Sequence, residues 1–192
     1  MSLVTVTHCR AHLRLPSANE DSLLTIYLAE ALARIIAYIG RPVTAVERTF
    51  TDVAKAVLVY GVVQRLSLPQ WPIDPETVEV VDADGEAVPA EDFVVHGESG
   101  FLEAKPGAAF ANGPYEITCD VGLSASGRYA LEYEPIVNGA LLDLVADKYQ
   151  RRISPGVSAE AVAGGLSRSF SPDAIPANIR SRLDALRLVH TG

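Results

Sequence analysis

The sequence predicts an α+β fold: a small helical bundle drawn from both ends of the chain, an inserted antiparallel β-subdomain, and an extended C-terminal tail. Three observations predict it. Apolar residues recur at helical spacing in 20–39 and again in 135–153. The stretch 43–134 between them is instead rich in Val, Thr and alternating patterns broken by turn residues. Helices at opposite ends of a chain can share a core only if the β-region stands as a subdomain of its own. A chain of 192 residues, 48% of them hydrophobic, has the apolar content for such cores. The expected divisions are N-terminal helices over 1–42, a β-rich insertion over 43–134, a bundle helix over 135–153 and a tail over 154–192.

Val4-Thr5-Val6 is expected to lead into a first helix that runs through about Leu15, with Thr5 or Thr7 as its N-cap and Pro16 as its stop. Ser17 and Glu20 have the spacing of a capping box. The helix that follows runs to Ile39, with Leu24, Leu28, Ala31, Ile35 and Tyr38 or Ile39 on one stripe. Gly40 sits where a left-handed C-terminal cap belongs, and Pro42 prevents continuation.

The β-region opens with an alternating run at 44–52 and a β-branched run at 56–68, in which Gly61 marks a bulge or bend. A Pro-rich connector at 68–75 is expected to be extended, with Trp71 packed where the subdomains join. A strand at 76–81, the turn Asp82-Ala-Asp-Gly85 and a return at 86–88 read as a hairpin. Strands at 93–96 and 100–104 read as a second hairpin, and 115–121 as a clean alternating strand. The Gly/Ser-rich stretch 123–128 is expected to be a flexible loop.

Pro135 suits the first turn of a helix whose apolar face carries Leu141, Leu142, Val145 and Tyr149. Residues 159–165 read as a loop or weak helix, and 166–171 as a short strand. Pro176 opens a last helix with Ile179, Leu183 and Leu186 at i, i+4 and i+7.

Charge is unevenly spread. The chain carries −8 overall; residues 1–135 hold 19 acidic and 9 basic groups, and 136–192 hold 5 and 7. An acidic body argues against clamping nucleic acid, which needs a basic face to displace counterions. No apolar run is expected to span a bilayer, since Glu30 and Arg34 interrupt the candidate 23–39 and the candidate 54–63 is too short. The start lacks the basic and apolar regions of a signal peptide, so a soluble, cytoplasmically made protein is expected.

No catalytic constellation emerges, and no cofactor or metal is expected. Cys9 and Cys119 form no CxxC and read as buried, small apolar residues. His8 and His12 lack a third ligand. Asp82-Ala-Asp-Gly85 resembles the start of a calcium loop, but position 93 is Phe where the closing glutamate belongs. Gly97/Gly100 and Gly164-Gly165 carry no phosphate-binding pattern, and no GxSxG elbow occurs. Trp71 and Tyr115 are the obvious stacking platforms for a β-rich binding module, which needs a denser aromatic cluster.

The order of segments resembles the head–tail connector (adaptor) family of long-tailed phages and gene transfer agents. Ala11-His12-Leu13-Arg14 is similar to the family's first helix. Ile39-Gly40-Arg41-Pro42 resembles its helix exit, and Leu68-Pro69 with Val78 to Gly85 its hairpin. Ile117-Thr-Cys-Asp-Val-Gly122 looks like its long strand, and Tyr149-Gln-Arg-Arg152 like the end of its third helix. Ser169-Phe-Ser171 with Ile175-Pro176 and Leu186-Arg187 is similar to its tail. The chain departs in a longer loop at 123–128 and in Leu186, where an aromatic is common. The resemblance implies a non-enzymatic virion protein at the head–tail junction, forming a ring, usually dodecameric, under a portal protein. A head-closure or tail protein would lie below, and DNA would pass without sequence-specific binding. No membrane is involved. Portal docking would fall to Phe170, Ile175, Ile179, Leu183, Leu186 and Val189 as apolar anchors. Arg180, Arg182 and Arg187 would pair with acidic groups. A head-closure or tail-completion protein is the alternative within the same particle.

Overall fold

The computed structural model describes residues 3–58, 63–110, 113–127, 132–153, 159–162, 166–169 and 175–187. The chain divides into two compact units: Met1–Gly40 with Leu131–Gly192, and Arg41–Ala130. The expected docking tail, 154–192, belongs to the first of these units.

The helical unit contains α1 (Val6–Leu13), α2 (Asp21–Ile39), α3 (Glu134–Ile153) and α4 (Ala177–Leu183). Thr5 caps α1, and the residue that completes its capping box is His8: the Thr5 hydroxyl faces the His8 amide while His8 Nδ1 accepts the Thr5 N–H at 3.1 Å. Arg14 closes the helix in a left-handed conformation, two residues before Pro16. The box expected at Ser17–Glu20 does not form. Glu20 is the N-cap of α2 without a side-chain cap bond, because its carboxylate is taken by Arg152 at 3.3 Å and by the Tyr149 hydroxyl. Gly40 ends α2 at φ 76° and donates to Ile36 O, as the sequence indicates.

The buried stripe of α2 is Leu24, Tyr27, Ala31, Ile35 and Ile39. Leu28 and Tyr38 are only half-buried, since Tyr27 turns inward at the position next to Leu28. Facing it, α3 buries Val137, Ala140, Leu141, Leu144 and Val145, while Leu142 and Tyr149 stay half-exposed. By length and composition α2 would also pass for a bilayer-crossing segment. Its packing against α1, α3 and α4 is that of the core helix of a bundle. The region read as a loop or weak helix is a strand, β8 (Ala159–Val162), antiparallel to β9 (Leu166–Ser169).

The β unit holds two antiparallel sheets. One is ordered β1 (Val46–Val53), β7 (Tyr115–Val121), β4 (Glu79–Val81); the other is β2 (Lys55–Leu58), β3 (Val63–Ser67), β6 (Phe101–Ala104), β5 (Phe93–His96). The single run read at 56–68 is therefore two paired strands, with Lys55 opposite Leu66 and Leu58 opposite Val63; Gly61 lies outside the described residues. The strand expected at 76–81 starts as a 3-10 turn at Pro75–Thr77 capped by Asp74. Its hairpin is as expected: Asp82 Oδ1 accepts from the Asp84 and Glu86 amides, both at 3.0 Å, and Gly85 takes φ 82°.

Strand β7 is the centre of the unit. It alternates buried and outward residues over its whole length, as its sequence indicates, and pairs with β1 and β4 on its two sides. Its inward residues Tyr115, Ile117, Cys119 and Val121 join Leu66, Leu102, Phe93, Phe110 and Val80 in one core. Burial at that density pushes the Cys119 thiol up to about 11, with Asp120 adding to the rise. Cys9 is raised by burial as well. Strand β1 does not show the expected half-buried alternation: only Val53 is buried. It is an edge strand whose pairing shifts register between Phe50 and Val53.

The stretch 123–128, expected to be flexible, is ordered through 127. Leu123 is fully buried, and the Leu123 and Ser124 amides donate to Pro42 O and Val43 O at 3.0 Å. Ser124 Oγ accepts the Ala45 N–H at 2.6 Å. One apolar residue in a Gly/Ser stretch is thus the anchor of the turn. Gly122 makes this possible: at φ 150° its Cα lies so close to the incoming chain that a Cβ would sit 2.4 Å from Thr44 O. Gly122→Ala is therefore expected to destabilise the protein by about 2 kcal/mol or more, whereas Gly127→Ala, where a Cβ meets open space, is expected to be near neutral. Urea unfolding of the two variants measures the difference.

Candidate functional site: the C-terminal segment on the bundle

The residues expected to dock on a portal fall on α4 and the turn after it. Pro176 fixes the entry and occupies the N-cap, and the helix passes into a 3-10 turn at Asp184–Leu186. The i, i+4, i+7 spacing places Ile179, Leu183 and Leu186 on one side, joined by Ile175. All four are buried, Leu183 completely. They pack inside the helical unit, with α4 lying against α3 and α2. Each such side chain removed from water stabilises the packing by about 1.5–3 kcal/mol. Phe170 and Val189 lie outside the described residues.

Polar contacts hold the same segment at its rim. The Tyr38 hydroxyl donates a short hydrogen bond to Asp184, and the Arg187 guanidinium lies 5.5 Å from the centre of the Tyr38 ring. Arg182 pairs with Asp143 of α3, which His12 of α1 approaches at 3.9 Å. Arg180 is exposed and returns one bond, at 3.3 Å, to Ile175 O. The three arginines are thus exposed, each with a different neighbour, while the apolar residues of the segment are buried. Sequence reasoning did not find Tyr38 and Asp143 as partners of this segment, because they sit on other helices, α2 and α3, at no recognisable spacing.

A second feature lies on the same unit. Between α2 and α3 is a cleft of about 290 Å³ lined by Tyr27, Arg34, Asp147, Lys148, Arg151 and Arg152. The only sequence signal for it was the pair of charges, Glu30 and Arg34, that interrupts the apolar run of α2. Among the described residues no group of three His, Cys, Asp or Glu side chains gathers for a metal. Of the histidines weighed for one, His8 serves as a cap. Both thiols are buried and held protonated at neutral pH, so neither is a nucleophile.

No family model and no curated protein matches the chain. Solved structures do. A chain in the neck of an empty gene transfer agent particle, determined with C6 symmetry, superposes at TM-score 0.56 and 19% identity, covering 98% of this chain and 91% of that one. A chain in the virion of a native gene transfer agent particle gives 0.56 at 20% identity, over 100% and 95%. The neck of a native particle determined with C12 symmetry gives 0.55 at 19%, over the same shares. The fold is that of a gene transfer agent neck chain. At this identity the likeness is one of fold, and it runs through both units and the C-terminal segment alike.

The Tyr38–Asp184 bond gives the C-terminal segment a pH signature. Hydrogen bonding to Asp184, with burial and its negative charge adding, holds the Tyr38 hydroxyl above its ordinary value. The folded state therefore keeps this proton more tightly than the unfolded chain does. The contribution is complete below about pH 10 and is lost as pH rises through the folded-state value. Tyr38→Phe is expected to be less stable than the parent at pH 8, with the gap closing as the solution becomes alkaline. Denaturant unfolding at both pH values measures it.

Proposed function

We propose that this chain is a structural, non-enzymatic subunit of a virion neck, specifically the connector (adaptor) ring under the portal of a phage or gene transfer agent particle. The observation that carries this reading is the shared fold with neck chains over essentially the whole sequence. The sixfold and twelvefold symmetry of those particles supports a ring of copies, twelve in our reading, at the head–tail junction. Below it would sit a head-closure or tail protein. A head-closure or tail-completion protein, from another layer of the same neck, is the second reading.

The burial of Ile175, Ile179, Leu183 and Leu186 changes how portal docking is best drawn. The apolar side hangs the segment on the subunit's own helices, and the outer arginines meet the portal. Arg180 and Arg187 are the cations to test, because Arg182 already has Asp143. Removing the whole segment would open the bundle core and unfold the subunit rather than undock it. The DNA path needs no adhesive surface. Arg41–Ala130 carries 14 acidic and 6 basic residues, and such a wall repels the DNA backbone.

The test is co-purification of the full-length chain with its cognate portal. Stoichiometric binding weakened by the double change Arg180→Glu, Arg187→Glu, with unfolding unchanged, supports the reading. A full-length chain that ignores the portal but binds a lower neck component would move it to the head-closure layer.

A further inference from the structure

The charge imbalance of the chain belongs to one unit. Arg41–Ala130 has a net charge of −8, whereas the remaining residues hold ten acidic and ten basic groups. Within the neutral helical unit the cations are not evenly spread. Four of them line the cleft between α2 and α3: Arg34, Lys148, Arg151 and Arg152.

Three of the four are already occupied. Lys148 pairs with Glu30 and lies 4.8 Å from the centre of the Tyr27 ring. Arg151 pairs with Asp147 one turn earlier on α3 at 2.8 Å, and Arg152 with Glu20 at 3.3 Å. Arg34 is different: no hydrogen bond, ion pair or ring contact holds it among the described residues. Among the described residues it is the one cation of this cleft with no polar or ring partner, and the neighbouring ion pairs lie around it.

The acidic unit displays a matching group. Asp82 spends its carboxylate on the turn itself, binding the Asp84 and Glu86 amides, and the Asp82 N–H donates to Glu86 O at 2.9 Å. Asp84 and Glu86 are then exposed, on a rigid turn, with no side-chain partner among the described residues. Holding two carboxylates on an ordered turn removes most of the ordering cost of binding them.

We infer that the Arg34 cleft of one copy receives the Asp84/Glu86 turn of a second copy of this chain. The contact joins two different surfaces of identical chains, so it is heterologous, and repetition of such a contact closes a ring when the rotation per copy allows it. The inference rests on the ring reading above and assigns its lateral contact. One exposed ion pair contributes little by itself; the cleft supplies partial enclosure, and a ring repeats the contact at every interface. Duplex DNA is the other polyanion that an unpaired arginine could meet, but the −8 carried by the rest of the same chain opposes it.

The experiment uses the full chain and three variants: Arg34→Glu, the double change Asp84→Arg with Glu86→Arg, and the triple combination. Thermal unfolding first establishes that each folds as the parent does. Assembly is then followed by sedimentation velocity, and by electron microscopy of rings formed by the free chain or on its portal, at low and high salt. Parent assembly should weaken with salt. Arg34→Glu and the acid reversal should each weaken it about tenfold or more, and the triple combination should recover most of the loss. Rings that form but are indifferent to Arg34, or are not recovered by the combination, overturn the inference and leave the ring reading standing. A parent chain that forms no ring in either setting overturns both. Binding of a labelled DNA duplex that Arg34→Glu abolishes would assign the cleft to phosphate and overturn the inference as well.

Discussion

The packing of α2 on α3 is the constraint on which the rest of the structure depends. The two helices are separated in sequence by the whole of Arg41–Ala130, so their packing requires the ends of that segment to lie close together. A flexible loop of that length would meet a substantial closure cost. A folded β unit ordered from Pro42 and Val43 through Ser124 reduces it, because both ends are tied by the Leu123 and Ser124 amides. Once α2 and α3 meet, their apolar stripes leave a further surface, and α4 covers it with Ile179, Leu183 and Leu186. The C-terminal segment is therefore a product of the same closure.

This arrangement separates two kinds of contact within the chain. Apolar contacts in each unit hold the fold, while charged groups are left on the outside and sorted by unit. The β unit holds the excess of carboxylates and the helical unit its outward arginines. The large hydrophobic side chains exposed among the described residues are Ile26, Val46 and Val94. The buried, protonated thiols of Cys9 and Cys119 fit the same picture, since each fills space in a core.

Much of the fold was legible because its signals are local. Gly40 before Pro42, the Asp82-Ala-Asp-Gly85 turn and the strict alternation of 115–121 each determine their own geometry with little help from elsewhere. The failures were decided at a distance. Ser17 and Glu20 have capping-box spacing, yet Glu20 is recruited by Arg152 and Tyr149 from the far end of the chain. Residues 159–162 are too poor in β-branched residues to announce a strand, and it is pairing with β9 that makes one. Leu123 is the one large apolar residue in a Gly/Ser-rich stretch, so composition indicated a loop and packing made an anchored turn. The C-terminal segment shows the limit most clearly: amphipathic spacing at Ile179, Leu183 and Leu186 states that one face will be covered, and is silent on whether the cover is the chain's own bundle or a partner. The arginine cleft left almost no trace in sequence, since Arg34 and Arg151 become neighbours only when α2 and α3 pack.

The central claim is that this chain is a ring-forming component of a virion neck. Cryo-electron microscopy of the particles that contain it, reconstructed around the head–tail junction, tests that most directly. The account expects a closed ring of density immediately below the portal into which the two units fit as copies related by one rotation. Intact necks in which this chain is absent from the junction, or occupies no ring, would contradict it.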